Sequence, residues 1–213
     1  LYFRENGSVV PPPIFLREQL SELPPLSFDF PGIDMESYLS SWDKSYDVFP
    51  GRKTKPISIY TKKGCLYDCS FCARIDKSLR TRTPRQAYED YKRLVALGAN
   101  YIYEVNDSHL FDAQQTRDWL RQFREIYAAE GGLDAKLWFF ADPRHITPET
   151  VEIMKTIGVY KVLMGFESGS REIRERIMAK QSLSNDRIVE KAGMLYDAGI
   201  RLSDSYILGL PGE

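Results

Sequence analysis

From residue 56 onwards the chain alternates short apolar stretches with longer amphipathic segments. The short stretches are rich in β-branched and aromatic residues, which favour strands. The longer segments repeat their apolar residues every three or four positions, which indicates helices that bury one face. This pattern predicts five strands, at residues 56–61, 100–105, 136–141, 160–166 and 201–208.

Capping signals indicate where the intervening helices begin and end. Thr83 and Thr147 each precede a proline and are typical N-caps, with the proline at the first helical position. Asp112 is a further predicted N-cap, for the helix before the third strand. Gly98 and Gly199 end helices, because glycine readily takes the left-handed conformation that closes them. After the fourth strand the sequence predicts two helices, at about residues 170–180 and 184–198.

This strand–helix alternation predicts an α/β fold with a parallel sheet and right-handed crossovers. An open doubly wound sheet and a (β/α) barrel both fit, and periodicity does not separate them. In either fold the functional side chains gather at the carboxyl ends of the strands. No crossover follows the last predicted strand, so we expect the chain to be part of a longer protein.

Residues 1–55 differ from the rest, because they are rich in proline and aromatic residues. Their proline pairs and triplet oppose long helices. Their apolar side chains predict a linker or N-terminal extension. We expect it to lie against the body formed by residues 56–213, or against a domain that precedes it.

The composition is that of an ordinary globular protein, with 43% hydrophobic and 28% charged residues. Its 29 basic and 30 acidic side chains nearly cancel, so no basic surplus indicates a nucleic-acid partner. The apolar runs are too short to span a bilayer, and no signal peptide is visible. The sequence therefore predicts a soluble, cytoplasmic protein without a membrane partner.

All three cysteines, Cys65, Cys69 and Cys72, lie within eight residues directly after the first predicted strand. Three thiols so close together can surround one metal centre without a long loop having to close. Soft thiolates select iron–sulfur clusters or zinc. A cubane cluster held by three cysteines keeps one iron open to a substrate or cofactor.

Two other interpretations of the cysteines stay open. A zinc site needs a fourth ligand, which only His109 or His145 could supply, and neither has zinc-finger spacing. A disulfide would leave one spare thiol. The odd cysteine count, the close spacing and the predicted cytoplasmic setting favour a cluster over both.

The order Cys65-x-x-x-Cys69-x-x-Cys72, with Phe71 before the last cysteine, resembles the motif of the radical S-adenosylmethionine superfamily. The resemblance implies a partial (β/α)6 TIM-like barrel, here truncated after the fifth strand. It also implies that the three cysteines bind a [4Fe-4S] cluster whose open iron binds S-adenosylmethionine. Reductive cleavage of this cofactor would yield a 5′-deoxyadenosyl radical, and Phe71 would pack on the adenine.

The end of the second strand carries a segment that resembles a further motif of this superfamily. Glu104, Asn106 and Asp107 stand where members have a GGE-like motif that binds the methionyl ammonium, although the glycines are absent. Asn106 and Asp107 also resemble a paired-acid motif of cobalamin-linked members. The alternative is a polar turn that caps the next helix.

The last two strands end in segments that resemble two more motifs. Gly165, Glu167 and Ser168 match a GxESG segment, whose glutamate binds the ribose hydroxyls. Ile207 and Gly209 match a GxIxGxxGE segment, whose isoleucine backbone reads the adenine edge, with a serine replacing the first glycine. The alternative for the second segment is a buried strand with a glycine-rich turn.

Asp142 and Arg144 follow the third predicted strand. A contact with the sulfonium side or the carboxylate of S-adenosylmethionine is one interpretation of these two residues. Solvated turn residues are the interpretation we expect.

The proline-rich approach to the cysteines resembles the linker after a cobalamin-binding domain. It implies a cobalamin-dependent methyltransferase or related iron–sulfur oxidoreductase, with cobalamin held by a domain outside this chain. A flavodoxin- or ferredoxin-type protein would supply electrons, and the substrate is an unidentified small molecule or peptide. The alternatives are a cobalamin-independent enzyme, such as a methylthiotransferase or rearrangement catalyst, and a non-catalytic electron-transfer or metal-binding module.

Overall fold

A computed structural model of this protein describes residues 3–5, 8–10, 19–28, 31–41, 48–72, 78–106, 114–180 and 183–212. The strands in these ranges are β1 (Phe3–Glu5), β2 (Ser8–Val10), β3 (Pro56–Ile59), β4 (Lys62–Lys63), β5 (Arg80–Thr81), β6 (Tyr101–Glu104), β7 (Lys136–Ala141), β8 (Val159–Glu167) and β9 (Arg201–Tyr206). The α-helices are α1 (Met35–Ser40), α2 (Pro84–Ala96), α3 (Gln114–Ala129), α4 (Pro148–Thr156) and α5 (Asn185–Asp197). A 3₁₀ turn spans Pro143–His145, and a π-helical segment spans Ile173–Ile177.

Five parallel strands form the main sheet, in the order β3-β6-β7-β8-β9. Each strand of this sheet pairs with the strand that follows it within the sheet, so new strands are added at one edge only. In a doubly wound sheet the order of the strands would instead reverse at a switch point, and later strands would be added at the opposite edge. The order is that of a (β/α) barrel segment, and the prediction of a partial barrel is confirmed.

The hydrophobic core lies between one face of this sheet and helices α2 to α5. Ile102, Leu137 and Val162 point into it and are at most 1% exposed. Above them Trp119 and Phe123 of α3 stack with their ring centroids 5.1 Å apart. The alternate residues of each strand point to the opposite face of the sheet. None of the helices in the described ranges is long and apolar enough to cross a membrane.

The predicted caps of α2 and α4 are confirmed. The Thr83 and Thr147 hydroxyls each accept a hydrogen bond, 3.2 Å long, from the backbone N–H three residues later. Gly98 and Gly199, just after α2 and α5, have positive φ angles of 100° and 72°, as predicted for residues that close helices. The predicted cap Asp112 lies outside the described residues.

The first strand of the sheet is shorter than predicted. β3 ends at Ile59 rather than at Thr61. The backbone N–H groups of Thr61 and Lys62 both donate to the Asn106 side chain, each at 3.1 Å, instead of continuing the parallel ladder. The chain then turns into β4, which pairs antiparallel with β5.

The helix predicted at 170–180 is also different, because its central five residues form the π-helical segment. There the Met178 N–H reaches back five residues to the carbonyl of Ile173. Within this wider turn the buried guanidinium of Arg174 donates to the Ser168 carbonyl at 2.5 Å and to Asn185 at 3.0 Å. The spacing of hydrophobic residues does not reveal an arginine that points into the protein.

Residues 19–28 lie against α2. The Leu26 N–H donates to the Asp90 carboxylate at 3.2 Å, and the Arg82 guanidinium donates to the Pro24 carbonyl at 3.2 Å. Arg82 and Asp90 also form a buried ion pair with an N–O distance of 2.6 Å. This part of the proline-rich region is therefore joined to the body of the fold by polar contacts.

Candidate functional site

The cysteine loop, residues 64–72, follows β4 and begins with a glycine. Any other residue at this position would force the neighbouring backbone to move. Gly64 has a φ of 89°. A Cβ atom there would lie 1.6 Å from the Ser78 carbonyl oxygen. The absence of a side chain therefore lets the chain pass this carbonyl and place Cys65 at the start of the loop.

The three thiols share one site at the surface of the fold. Cys65 is buried, and Cys69 and Cys72 are half-buried; all three are free thiols. Desolvation raises the pKa of Cys69, the Lys180 ammonium opposes this, and the nearby Cys65 and Cys72 thiols add to the rise. The Tyr67 N–H lies 3.5 Å from the Cys65 sulfur and donates to it. The three sulfurs are thus close enough to act on one another electrostatically.

The number and type of donors fit a cluster with one open iron, because three free cysteines lie on one short loop and act on one another electrostatically. In the described part of the chain, no three His, Cys, Asp or Glu side chains, these cysteines included, are already gathered around a single metal-sized point. His145, one candidate for a zinc ligand, is hydrogen-bonded through Nε2 to the Tyr67 hydroxyl at 2.8 Å. The other candidate, His109, lies outside the described residues.

Contacts from two later segments hold the cysteine loop in place. The Ser70 N–H donates to the Met178 carbonyl at 2.8 Å, and its hydroxyl donates to the Ile177 carbonyl at 2.7 Å. On the other side, the Tyr67 hydroxyl contacts His145, and the Arg144 guanidinium lies 4.4 Å from the centroid of the Tyr67 ring. The loop is therefore docked on the segments that follow β7 and β8.

Phe71 lies on this loop with 41% of its surface exposed. A large apolar side chain with that exposure offers a face to a ligand. Its contact with adenine stays a prediction.

The residues at the carboxyl end of β6 contact the segment that leads into the cysteine loop. Glu104 is 1% exposed, and its carboxylate accepts hydrogen bonds from Thr61 at 2.8 Å, from Asn106 at 2.6 Å and from the Tyr91 hydroxyl. Burial raises the pKa of Glu104 to about 7, against the opposing charge of Lys62. Glu104 and Asn106 thus brace the entry to the loop. Asp107 lies outside the described residues, and the predicted ammonium contact of all three stays a prediction.

Glu167 at the end of β8 is held in an uncommon conformation. Its φ is 66°, and its carboxylate accepts hydrogen bonds from Lys180 at 3.0 Å and Ser205 at 3.2 Å. A Cβ on Gly165 would lie 2.2 Å from this carboxylate, so glycine is needed there. Ser168 follows in the turn, where its hydroxyl accepts from the Ser170 N–H at 3.1 Å. Positive φ at a non-glycine residue is typical of functional sites.

Sequence reasoning missed Lys180. This side chain is 6% exposed and its ammonium donates to the Gly165 carbonyl at 2.5 Å as well as to Glu167. Burial raises the pKa of Cys69, and the same ammonium opposes that rise. One buried cation therefore acts on both the cysteine loop and the strand end. Its position depends on the π-helical segment, and no pattern in the sequence indicated it.

The end of β9 is joined to the same place, because the Ile207 N–H donates to the Glu167 carbonyl at 2.8 Å. Gly209 follows with a φ of 81°. The structure thus brings Ile207 and Glu167 together. Their contacts with adenine and ribose stay predictions.

The expectation of solvated turn residues after β7 is wrong for Asp142. Asp142 is 2% exposed, because its carboxylate caps the 3₁₀ turn and pairs with the Arg144 guanidinium at 2.8 Å. Both residues line a narrow cavity together with Gly165 and Lys180. The ends of β7 and β8 therefore meet around this small cavity.

The sequence model of the radical S-adenosylmethionine superfamily matches residues 59–213. Cytidylyl-2-hydroxyethylphosphonate methyltransferase of Streptomyces wedmorensis is 24% identical over 160 residues, which are 72% of this chain and 28% of that protein. Tryptophan 2-C-methyltransferase of Streptomyces laurentii is 23% identical over 73% of this chain and 28% of its own length. A putative methylthiotransferase of Methanocaldococcus jannaschii is 23% identical over 74% of this chain and 36% of its own length.

Solved structures agree on the fold. The radical S-adenosylmethionine methyltransferase TsrM of Kitasatospora setae superposes with a TM-score of 0.65 at 19% identity, over 74% of this chain and 31% of that one. The cobalamin-dependent radical enzyme OxsB superposes with a TM-score of 0.61 at 18% identity, over 71% of this chain and 23% of that one. The chain thus spans about a third or less of the length of these structures, and between a quarter and two fifths of the curated relatives it matches.

Proposed function

Because the chain belongs to the radical S-adenosylmethionine superfamily, we propose that it forms the radical-generating part of an enzyme. Cys65, Cys69 and Cys72 would hold a [4Fe-4S] cluster, and S-adenosylmethionine would bind between the cysteine loop and the carboxyl ends of the strands. When bound, the cluster supplies the electron that cleaves this cofactor to methionine and a 5′-deoxyadenosyl radical.

One observation carries the proposal: the cysteine loop is docked where the charged strand-end residues converge. Ser70 and Tyr67 fix the loop to the segments that contain Lys180 and His145. Lys180 in turn bridges towards Glu167. A ligand between loop and strand ends would therefore meet positioned groups rather than mobile ones, which lowers the cost of orienting it.

The residues of this chain bind, orient and shield in this proposal. The Tyr67 N–H donates to the Cys65 sulfur, and such contacts tune the potential of iron–sulfur centres. Glu167 presents a carboxylate whose position is fixed by Lys180 and Ser205, suited to accepting hydrogen bonds from two ribose hydroxyls. Phe71 covers the outer side of the loop, where it would keep water from the reacting atoms.

A cobalamin-dependent methyl transfer is the reaction we favour for the whole protein. Support comes from the first two relatives, both named as methyltransferases, and from TsrM, which has been solved with cobalamin and a [4Fe-4S] cluster bound. Cobalamin would be held outside the residues 56–213. Anaerobic purification of the intact protein should yield cobalamin in about one-to-one ratio by absorbance, and a cobalamin-free active enzyme would contradict this part.

A cobalamin-independent methylthio transfer is the second candidate, because one relative is named as a putative methylthiotransferase. A second iron–sulfur cluster in the intact protein would favour it. The non-catalytic electron-transfer module explains neither the positive φ of Glu167 nor its fixed carboxylate. Electrons would come from a flavodoxin- or ferredoxin-type protein, and the protein is proposed to be cytoplasmic.

The test is anaerobic reconstitution of the chain with iron and sulfide, followed by dithionite and S-adenosylmethionine. Mass spectrometry should detect 5′-deoxyadenosine and methionine in equal amounts. Cys69→Ala should lose both the cluster absorbance and the products, whereas Glu152→Gln on the exposed face of α4 should keep them. A Cys69→Ala protein with full cluster content and full product yield would overturn the proposal.

A further inference from the structure

One row of cross-strand neighbours runs across the face of the sheet that the helices do not cover. The register pairs each of its members with the next: Ser58, Tyr103, Trp138, Lys161 and Arg201. Beside the row, Leu137 and Val162 point the other way, towards the helices, whereas Tyr160 at a β-bulge contacts Arg201 of the row. The row is therefore a continuous strip on the concave side of the partial barrel.

Aromatic rings and two cations make up most of this strip. Tyr103 and Trp138 stack with ring centroids 4.0 Å apart. The Lys161 ammonium lies 4.3 Å from the Trp138 ring centroid. The Arg201 guanidinium lies 4.9 Å from the ring of Tyr160. Cation–π contacts hold both cations in place without neutralising them.

Three polar groups of the strip are donors for which the described residues supply no acceptor. Trp138 Nε1 is buried and has no hydrogen-bond partner among the residues described. No carboxylate in the same ranges forms an ion pair with Lys161 or Arg201. Burial, and then the positive charge of Arg201, lower the pKa of Lys161. The buried indole N–H needs an acceptor, and the half-buried Lys161 and exposed Arg201 on the same strip favour one with negative charge.

The strip lies below the strand ends. Trp138 is four residues before Asp142, or about 13 Å along the strand. Between them, one layer higher, Phe140 and Leu163 are cross-strand neighbours on the same side. A molecule anchored at Lys161 could therefore lie against Phe140 and Leu163 with its far end at the carboxyl ends of the strands, where the cofactor is proposed to bind.

We propose that Lys161, Arg201 and the Trp138 indole N–H anchor the anionic group of the substrate. The substrate class is a small organic anion with a planar apolar body, which would pack on Phe140 and Leu163. The inference rests on the proposed function, because it names the substrate class of that same site.

Binding of 1-naphthoate to the reconstituted full chain tests the anchor directly. The chain contains three tryptophans, Trp42, Trp119 and Trp138, whose ¹⁵N-labelled indole groups give separate NMR signals that single Trp→Phe variants assign. The Trp138 signal should move downfield when the carboxylate accepts its N–H. The Trp119 signal should stay, because its Nε1 already donates to the Arg82 carbonyl at 2.6 Å.

Affinity should depend on both partners of the contact. Lys161→Met should raise the dissociation constant for 1-naphthoate about tenfold or more, as expected when a charge-assisted contact is lost. The exposed Lys155→Met on α4 should leave it unchanged. Neutral 1-naphthamide should bind at least about tenfold more weakly than 1-naphthoate, and inorganic phosphate should not displace it at equal concentration.

Equal affinity for the acid and the amide, an unchanged constant in Lys161→Met, or equal shifts of all three indole signals would overturn the anchor. Displacement by phosphate at equal concentration would overturn the apolar part of the substrate class. Formation of 5′-deoxyadenosine by the unmodified chain, measured separately, tests only the proposed function. Naphthoate binding of the expected pattern without that product would therefore sustain the anchor and reject the radical chemistry.

Discussion

Lys180 is the residue that connects the cysteine loop to the end of β8. Its ammonium joins the Gly165 carbonyl, the Glu167 carboxylate and, through its charge, the Cys69 thiol. Sequence patterns did not reveal it, because a single lysine at a helix end is ordinary. Only the position of the π-helical segment brings it under β8. By contrast, Cys65, Cys69 and Cys72 were recognisable, since their meaning lies in spacing along the chain.

Lys180→Met should destabilise the fold by about 3–5 kcal/mol, because it leaves the Glu167 carboxylate buried without its partner. Urea unfolding of the cluster-free chain measures this. The exposed Lys92→Met on α2 should change stability by no more than about 0.5 kcal/mol. Adding Glu167→Gln to Lys180→Met should recover part of the loss, and a double variant that is weaker than Lys180→Met would contradict the explanation.

Glu104 gives the fold a dependence on pH. Because burial raises its pKa from 4.5 to about 7, the folded state favours the protonated carboxyl. Its contribution to stability is therefore complete below about pH 4.5 and is lost as the pH rises through 7. His145 acts in the opposite sense, since burial lowers its pKa, so the unmodified protein alone does not isolate Glu104.

The comparison of the unmodified chain with Glu104→Gln isolates it. The unfolding free energy of the unmodified chain, relative to the variant, should fall between pH 5 and pH 8. The exposed Glu125→Gln on α3 should show no such trend. A constant difference between the chain and Glu104→Gln across this range would refute the assignment.

At the scale of elements, most of the fold was readable in advance. The strand at 136–141 has the bounds that the pattern predicted, and the threonine caps begin α2 and α4 as expected. The errors occur where side chains replace backbone contacts. Asn106 ends β3 early, and Arg174 turns into the π-helical segment. Periodicity reports burial and does not report such bonds.

The cysteine loop as an element depends on Gly64. Gly64→Ala would force a Cβ into the Ser78 carbonyl, 1.6 Å away, and add the cost of a positive φ. Gly51→Ala is the matched control, because its φ is 70° but nothing lies within 4 Å of the added Cβ. Gly64→Ala should lose most of its iron after reconstitution, whereas Gly51→Ala should keep it. Equal iron content by colorimetric assay would show that the loop adapts.

At the scale of the whole molecule, Arg82 joins the proline-rich region to the body. Arg82→Met would remove the close ion pair of the buried Asp90, leave it only the longer 3.7 Å contact with Arg93, and remove the contact with the Pro24 carbonyl. We expect a loss of about 3–5 kcal/mol in urea unfolding. Arg85 lies three residues after Arg82, in the first turn of α2, and is half exposed. Arg85→Met should therefore cost no more than about 0.5 kcal/mol. A small effect of Arg82→Met would mean that residues 19–28 contribute little to the fold.

The sheet adds its strands in chain order, and this has a consequence for how the protein is made. The cysteines belong to the first strand unit, but Ser70 docks on Ile177, which is 107 residues later. At about 5–20 residues per second, a ribosome needs roughly 5–20 s to complete that partner. Until then the cysteine loop lacks this docking contact. We therefore expect stable insertion of iron and sulfide to follow translation of the fourth strand unit.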